Sequence, residues 1–351
     1  MKMNSMKNYI AFILGVVLFF SLNSCTSDEP LIITPDVSIV EVGKIITLTT
    51  NIQGNATWTS SDESVATVQD GLVTGINDGH AIITAQIGKS KGTANIYVIQ
   101  EGGTYQGEYK LIWSEEFDGT TLDASRWNVE TGGGGWGNQE KQYYTDRSEN
   151  LRVQNGCLEI EARKETYYNN EYTSARINTK NKFDVAYGKI EARINFPKGR
   201  GTWGAFWMLG YGSWPTCGEI DIVEHVGNNP TYASHAIHTR EKNGSKGNNW
   251  HSGQTVDNLE GGYHVYGVEW LQTYWMGVDA LKFYVDGVYA GSAYASINST
   301  FEDWPFTADR PEYIILNMAI GGTMGGSINE DMFNNPVIMY VDWVHVYQKQ
   351  F

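Results

Sequence analysis

The sequence has few basic residues, few prolines and few cysteines. It contains 25 Lys and Arg against 40 Asp and Glu, which gives a formal net charge of −15. Because a negatively charged chain is repelled by phosphate, we expect no nucleic-acid partner. Helical periodicity is nearly absent, and beyond residue 22 no stretch is long and apolar enough to span a membrane. These absences argue against a helical bundle.

Glycine and aromatic residues are abundant instead. Gly accounts for 39 of the 351 residues and aromatic residues for 13%, whereas Gly usually makes up about 7% of a protein. With 41% hydrophobic residues the chain is not disordered, and its length allows two or more domains of about 100–150 residues each. We therefore predict a turn-rich, all-β protein with aromatic surfaces.

The first 24 residues are predicted to be an export signal. Lys2 and Lys7 precede an apolar run over residues 9–22, which is too short for a bilayer of about 30 Å but suits the core of a signal peptide. Residues 22–25 (LNSC) resemble the lipobox of bacterial lipoproteins, and this resemblance implies lipidation of Cys25. An ordinary secretory signal is the alternative.

Residues 25–30 are predicted to form a polar tether. Residues 26–29 (TSDE) resemble the surface-export signal of Bacteroidetes lipoproteins. The resemblance implies an outer-membrane lipoprotein on the cell surface of such a bacterium. Two cysteines remain, Cys157 and Cys217. An oxidising compartment permits a disulfide between them, but two positions do not decide its formation, and we expect two buried thiols.

Residues 31–100 are predicted to form a small β-sandwich, because short alternating runs recur through them. Residues 58–68 (WTSSDESVATV) and 71–75 (GLVTG) resemble the bacterial immunoglobulin-like domain of group 2. Such a domain is either a spacer or a carbohydrate-binding module. Trp58 is the single Trp of the segment and takes a core position in the motif, which favours the spacer. Residues 101–107 are the linker.

Residues 108–351 are predicted to form a second and larger domain, which contains every Trp except Trp58. Alternation of apolar and polar residues recurs through it, so we predict a large antiparallel sandwich of two sheets. The clearest alternating runs are residues 158–163, 188–196, 264–270, 281–285, 314–319 and 341–347.

One apolar strand of this domain contains three acidic residues. In a strand, Glu219 and Asp221 share a face, whereas Glu224 would point to the opposite face. A β-bulge at residues 222–223 would bring Glu224 back, because one extra residue resets the alternation. Three carboxylates on one face repel one another and are an unfavourable way to pack a strand.

Such a cluster suits glycoside hydrolysis with retention of configuration. That reaction uses two carboxyl groups about 5–5.5 Å apart, one ionised as nucleophile and one protonated as acid. Asp221, placed between two Glu residues, can hydrogen-bond the nucleophile and raise the pKa of the acid. A metal site and a solvated acidic strand are the alternatives, and the flanking Ile and Val argue against the second.

Residues 218–224 (GEIDIVE) resemble the active-site signature of glycoside hydrolase family 16 in its bulged form, Glu-x-Asp-x-x-Glu. Residues 111–119, 172–180 and 201–209 match other blocks of the family, so the resemblance covers nearly all of residues 108–349. It implies a concanavalin-like β-jelly roll in which Glu219 is the nucleophile, Glu224 the acid/base and Asp221 the helper. Catalysis in this family needs no cofactor.

The glycine-rich segment 132–140 (GGGGWGNQE) resembles a loop of the laminarinase-type β-1,3-glucanases. Glycine lets a backbone approach a sugar closely, and an indole offers an apolar plate to a pyranose ring. A mobile loop whose Trp fills the sandwich edge is the alternative. Family positions and residue chemistry together predict these sugar-binding residues: Trp136, Asn138, Arg176, Asn178, Trp203, Trp207, Trp214 and His238.

The chain departs from the laminarinase pattern at two places. Gly204 replaces a frequent Pro, and Met324 with Gly325 replaces a Trp-Pro pair. Loss of an aromatic residue at the cleft rim leaves room for mixed-linkage β-1,3-1,4-glucan beside laminarin. Sulfated galactans would favour clustered Lys and Arg, so they and unsulfated agarose are less favoured.

The resemblance also implies a structural calcium ion on the convex side. The matching positions are Glu116, the carbonyl of Gly156 and Asp342, which would supply the oxygen ligands that calcium prefers. Asp342 could instead be an ordinary acid at a strand end. We thus expect a tethered endo-β-glucanase, and a glycan-binding lipoprotein without catalysis is the rival.

Overall fold

The computed structural model describes residues 30–99, 109–272, 279–296 and 299–349. The predicted signal peptide, Cys25 and the linker 101–107 lie outside the described residues. The chain divides into two compact units, with the boundary near residue 99. In the described part, helical structure is confined to α1 (Gly322–Gly325) and two 3₁₀ turns, Gly244–Lys246 and Glu330–Asn334. The prediction of an all-β chain is confirmed.

The first unit is built from short strands that alternate between buried and exposed side chains. In one of them Ala81, Ile83 and Ala85 are fully buried, whereas Ile82 and Gln86 are exposed. The strands pair as β2-β9-β8-β5, β3-β7-β6 and β1-β4, with these bounds: β1 (Ile33–Thr34), β2 (Val37–Glu41), β3 (Ile45–Thr47), β4 (Thr49–Thr50), β5 (Thr57–Ser60), β6 (Ala66–Gln69), β7 (Leu72–Gly75), β8 (Gly79–Ile87) and β9 (Ser90–Ile99).

The second unit contains the remaining described strands. Their bounds are β10 (Tyr109–Glu115), β11 (Asn128–Glu130), β12 (Gln142–Tyr144), β13 (Leu151–Gln154), β14 (Cys157–Tyr167), β15 (Asn170–Ser174), β16 (Arg176–Asn178), β17 (Asp184–Val185), β18 (Gly188–Asn195), β19 (Thr202–Gly210), β20 (Glu219–Val226), β21 (Tyr232–His238), β22 (Trp250–Thr255), β23 (His264–Leu271), β24 (Ala280–Val285), β25 (Val288–Tyr294), β26 (Glu312–Ile320) and β27 (Val337–Lys349).

Two large sheets make up this second unit. One has the order β12-β15-β14-β27-β18-β23-β24-β25, with β10 and β13 attached at its side. The other has the order β11-β16-β26-β19-β20-β21-β22, with β17 attached to β26. The pairs are antiparallel except for the parallel pair β12–β15. Fully buried side chains from both sheets join one apolar core, so the sheets pack face to face as a sandwich.

The second sheet has one face toward this core and one face toward the candidate site. On β19, Phe206 and Met208 are fully buried in the core, and the alternating residues Trp203, Ala205 and Trp207 project from the other face. We call that other face the site face. Cys157 and Cys217 are free and buried, as expected. Among the described residues, no helix has the length and apolar character needed to cross a membrane.

Close packing in this core explains why position 204 is a glycine. A Cβ atom at Gly204 would lie 2.7 Å from two ring carbons of Phe196, whose side chain is fully buried. The ring therefore occupies the volume that a larger residue at position 204 would need.

We expect Gly204→Ala to lower the free energy of unfolding by about 1–3 kcal/mol, because overpacked cores must shift backbone or rotamers. Urea unfolding measures the change. Gly119→Ala is the matched control, because its Cβ would make only ordinary contacts, and we expect it to stay within about 0.5 kcal/mol. Equal unfolding midpoints for the two variants would contradict the packing argument.

Candidate active site

The register of β20 between its two neighbours sets the positions of the three acidic side chains. Opposite β19, Trp207 pairs with Asp221 and Phe206 pairs with Val223, so one residue of β20 is extra. Opposite β21, the register shifts by one residue between Asp221 and Glu224. Glu219, Asp221 and Glu224 then pair with residues of β19 whose side chains project from the site face.

Glu219 and Asp221 are close neighbours and share their surroundings. Asp221 is 4% exposed, and its Oδ2 lies 3.1 Å from His238 Nε2. Glu219 Oε1 lies 3.9 Å from the same nitrogen. The Trp214 indole lies close enough to Glu219 to lower the pKa of that carboxyl group, and Glu219 in turn lowers the pKa of Asp221.

Glu224 occupies the next part of the same face. Its Oε1 accepts a hydrogen bond of 3.0 Å from Trp203 Nε1, and its strand partners are Ala205 and Ser234. Small partners leave space beside the carboxyl group, so a substrate can approach it. Trp203 is 7% exposed; its indole is therefore a support for Glu224 more than an open sugar platform.

His238 directs Nε2 toward the acidic residues, although Asp221 Oδ2 has no hydrogen-bond partner among the described residues. The backbone N–H of Gly244 donates to His238 Nδ1 at 3.0 Å, so Nδ1 carries no proton and the neutral ring has its proton on Nε2. Nε2 is the atom that faces Asp221. One possible metal-ligand atom from each of Glu219, Asp221 and His238 lies within 4.8 Å of the other two. A protonated Nε2, however, cannot bind a metal. This tautomer disfavours the metal site.

Burial dominates the electrostatics of the cluster. It raises the pKa of Glu219 to about 8 and the pKa of Glu224 to about 8, and in both cases the charge of Asp221 is the next cause. Burial also raises the pKa of Asp221 to about 7, against a hydrogen bond with Glu219 that acts in the opposite direction. The cluster therefore retains protons near neutral pH, as a general acid requires, and Glu219 must give up its own proton before it can act as a nucleophile.

A fourth acidic residue, Glu312, lies behind the cluster. Its side chain is 1% exposed, and among the described residues its buried Oε2 atom has no hydrogen-bond partner. A Cβ on Gly218, which has a φ of +88°, would come within 2.8 Å of Glu312 Oε1. Burial raises the pKa of Glu312 well above its ordinary range. Its place beside Gly218 connects it to the turn that enters β20.

Arg176 links two of the predicted aromatic residues. Its guanidinium lies 4.8 Å from the ring centroid of Trp136 and 4.8 Å from that of Trp207, and it forms an ion pair with Glu130. Trp207 Nε1 donates to Asn317 Oδ1 at 2.7 Å. These contacts hold both indole rings on one wall beside the acidic residues.

Trp214 is the most open of the predicted aromatic residues, with 43% of its surface exposed. Its ring centroid lies 6.0 Å from that of His238. An exposed indole beside Glu219 suits stacking on a sugar ring.

Glu140, in the glycine-rich loop, is connected to the site by hydrogen bonds, and sequence reasoning did not assign it a role. It is 7% exposed, and Gln142 Nε2 and Tyr144 Oη donate to its Oε2 at 2.6 and 3.0 Å. The Tyr144 hydroxyl in turn accepts from Asn317 Nδ2 at 3.1 Å. Since Asn317 also holds Trp207, this network joins the loop to the aromatic wall.

Asn138 and Asn178 have different surroundings. Asn138 is exposed, and its backbone carbonyl accepts from Thr323 N–H at 2.8 Å, which ties the loop to α1. Asn178 is 4% exposed, and its Oδ1 accepts from Asn128 Nδ2 and from the Lys180 N–H. Asn178 is therefore less accessible than Asn138, and a direct sugar contact at this position stays a prediction.

The positions predicted for calcium converge on β27, the strand of Asp342. Strand β10 pairs Glu115 with Val344 of β27, and β14 pairs Leu158 with Val341, so both Glu116 and Gly156 come near Asp342. Asp342 Oδ2 accepts from Arg193 Nη1 at 2.5 Å, and Glu116 Oε1 lies 2.8 Å from His345 Nε2. The oxygen donors suit calcium, but a calcium ion would replace these basic partners.

His225, which follows Glu224 in the sequence, lies apart from the cluster. It is 1% exposed and contacts Glu260 at 3.0 Å.

One sequence signal could have pointed to Glu312 and Asn317, which sequence reasoning missed. Both are polar residues that flank a run of hydrophobic residues on β26.

Comparisons with known proteins agree with this geometry. The sequence profile of bacterial Ig-like domain (group 2) matches residues 29–98. A β-glucanase from Rhodothermus marinus is 42% identical over 250 residues, covering 68% of this chain and 85% of that protein. The solved structure of the laminarinase from Rhodothermus marinus has a TM-score of 0.65 at 40% identity and covers 70% of this chain and 100% of its own.

A second solved structure is SCLam, a non-specific endo-β-1,3(4)-glucanase, with a TM-score of 0.64, 37% identity and coverage of 69% of this chain and 92% of its own. The predicted Ig-like sandwich and β-jelly roll are confirmed. The profile of Glycosyl hydrolases family 16 matches residues 138–344, the stretch that contains β20 and its three acidic residues. The chain therefore belongs to glycosyl hydrolases family 16.

Proposed function

We propose that the second unit is a retaining endo-β-glucanase that hydrolyses β-1,3-glucan of the laminarin type, mixed-linkage β-1,3-1,4-glucan, or both. The observation that carries this proposal is the set of three acidic residues on one face of β20, placed beside a wall of indole rings. Family membership and the glucanase relatives support it. We assign the active-site motif to the bulged form, supported by the one-residue shift in the β20 register.

In this proposal Glu219 attacks and Glu224 moves the proton. A Glu219 carboxylate oxygen bonds to the anomeric carbon while the glycosidic C–O bond breaks, and the leaving oxygen takes the proton of Glu224. Water then attacks the anomeric carbon, Glu224 takes one of its protons, and the Glu219 ester bond breaks. Trp203 holds the Glu224 carboxyl in place for both transfers.

Asp221 influences the pKa of Glu224 during the two steps. It lies within hydrogen-bonding reach of Glu219 and faces the N–H of His238. While Asp221 is charged it raises the pKa of Glu224, which favours the acid role. When the glycosyl ester forms, the negative charge of Glu219 is lost, so the pKa of Glu224 falls and the base role becomes favourable.

The shape of the site supports a neutral glucan. Trp136, Trp207 and Trp214 offer faces or edges to pyranose rings, and Arg176 is held by an ion pair with Glu130. At the rim, α1 packs against Trp203 and leaves Met324 39% exposed. A rim without an indole constrains the bound polysaccharide less, which supports acceptance of mixed-linkage glucan beside laminarin.

Two other functions are possible on this scaffold. One is hydrolysis of agarose or another galactan, and the other is glycan binding without catalysis. The converging carboxyl groups disfavour the second, because a binding protein gains nothing from burying three acidic residues together.

We also propose where the protein works. Lipidation at Cys25 would anchor the chain in the outer membrane, and the Ig-like unit would hold the enzyme away from that surface. Support comes from the basic residues, the apolar run and the LNSC segment of the first 25 residues. A glucan-uptake system is the further proposed partner.

A structural calcium ion at Glu116, Gly156 and Asp342 completes the proposal. We expect calcium to raise the melting temperature, with a stabilisation of about 2.7 kcal/mol at a free concentration of 100 times Kd. Thermal unfolding in calcium chloride and in EDTA measures it. Asp342→Asn should lose the response, and identical melting curves of the unsubstituted chain in the two solutions would contradict the site.

The substrate class can be tested with the chain that lacks residues 1–25, which retains both units. We expect this protein to release oligosaccharides from laminarin, barley mixed-linkage glucan or both, and none from carboxymethylcellulose or agarose. Chromatography of the products over time shows the class and the endo mode. Cleavage of agarose alone would contradict the proposed glucanase activity and indicate a galactanase.

The Glu219→Gln variant separates catalysis from binding. We expect turnover to fall by roughly 10³-fold or more, because the amide cannot act as nucleophile, while affinity for glucan in gel electrophoresis remains. Unchanged hydrolysis would contradict the nucleophile assignment. Glucan affinity without hydrolysis in the unsubstituted chain would favour the binding-protein alternative.

The charge of Asp221 should be visible in the pH profile. In Asp221→Asn this charge is gone, so the pKa of Glu224 falls. Since Glu224 must hold a proton to act as the acid, the alkaline limb of kcat/KM should move to lower pH. The pH dependence of kcat/KM reports the free enzyme and checks this. Asp309→Asn, at an exposed acid, is the control; an alkaline limb that stays in place in Asp221→Asn would contradict the coupling.

A further inference from the structure

The hairpin between β14 and β15 presents an aromatic ring to solvent. Tyr168 stands at its tip, 75% exposed, with a φ of +48°. Positive φ is unfavourable for a residue with a bulky side chain, and Asn or Gly is the usual choice at such a turn. A strained and exposed tyrosine therefore needs a reason other than the turn itself.

Tyr168 is part of a group of three rings, which we call the tyrosine platform: Tyr143, Tyr167 and Tyr168. Tyr168 stacks on Tyr143 with centroids 5.1 Å apart and an interplanar angle of 25°, and Tyr167 meets both rings edge-on. Arg147 lies 4.5 Å from the centroid of Tyr167 and pairs with Glu165. The platform is therefore braced from behind, while most of the Tyr168 surface remains open.

A cavity of about 580 Å³ lies between the platform and the glycine-rich loop. This volume is in the range of pockets that bind small molecules. Tyr143 and Tyr168 line one part, and the backbone of residues 133–135 lines another. The hydrogen-bonding side chains around it are Gln139, Glu140, Lys141, Asn169 and Asn170.

The cavity is built into the same framework as the active site. A Cβ on Gly133 would lie 2.4 Å from Asn170 Oδ1 and 3.0 Å from Tyr143, so the loop packs directly on the platform. Asn170 Nδ2 donates to the Lys141 carbonyl at 3.0 Å. Glu140, which lines the cavity, begins the network that reaches Trp207.

We propose that the tyrosine platform and this cavity form an accessory subsite for a neutral β-linked glucan chain. The open face of Tyr168 stacks on a pyranose ring, and the amides of Gln139 and Asn169 bond its hydroxyl groups. The subsite rests on the proposed function, because it holds a part of the polysaccharide outside the catalytic cluster. Its effect is to favour long chains over short ones.

Tyr168→Asn tests the subsite, because asparagine removes the ring and tolerates the positive φ. In a Glu219→Gln background, we expect affinity electrophoresis to show a Kd for laminarin or barley glucan about three- to tenfold higher, the usual worth of an aromatic stack. In the active chain, KM on the polysaccharide should rise by a similar factor and kcat should hold. Tyr168→Phe retains the aromatic ring and should bind glucan like its parent.

The melting temperature distinguishes binding from folding. A binding role predicts that Tyr168→Asn melts at the same or a higher temperature, whereas a structural role predicts that stability and affinity fall together. Tyr294→Asn, at a tyrosine that is 59% exposed on β25, is the matched control and should bind like its parent. Equal affinity of Tyr168→Asn and its parent overturns the subsite alone; a parent chain that neither binds nor cleaves any glucan overturns the proposed function.

Discussion

Mutual repulsion among buried carboxyl groups is the constraint on which the active site depends. Glu219, Asp221 and Glu224 share one strand and one face, and burial opposes the charged form of each. The surrounding structure offsets part of this with the Trp203 N–H, which donates to Glu224, and with His238, whose Nε2 lies 3.1 Å from Asp221 Oδ2. Such an arrangement lowers stability and persists where it serves function.

The supports of this cluster come from distant parts of the chain. The tautomer of His238 is set by a backbone N–H in a 3₁₀ turn, and the indole of Trp207 is held by β26. The glycine-rich loop is tied to α1 and, through Glu140, to the same β26 residue. The wall and floor of the site are thus one hydrogen-bonded framework, which keeps the reacting groups in fixed positions before substrate arrives.

Sequence alone predicted the fold class and the acidic residues because both are local patterns. Alternation with a period of two indicates strands, and acidic residues in an apolar strand indicate a site. The roles of Glu140, Glu312 and Asn317 depend on which strands become neighbours across the sheet, and no local pattern carries that information. The same limit applies to Asn178. Its position on the same face as Arg176 follows from alternation, but its burial depends on contacts such as that with Asn128 on a neighbouring strand.

The one-residue shift in β20 also limits how this sequence can vary. Both neighbouring strands adjust to the extra residue, β19 near Phe206 and β21 near His235. Deleting one residue from positions 222–223 would place Glu224 four positions after Glu219, so regular alternation would keep all three acidic side chains on the site face only if β20 also lost its shift against both neighbours. The length of this strand and its register against two neighbours are therefore linked, and a strand one residue shorter would have to pair with both of them without the shift.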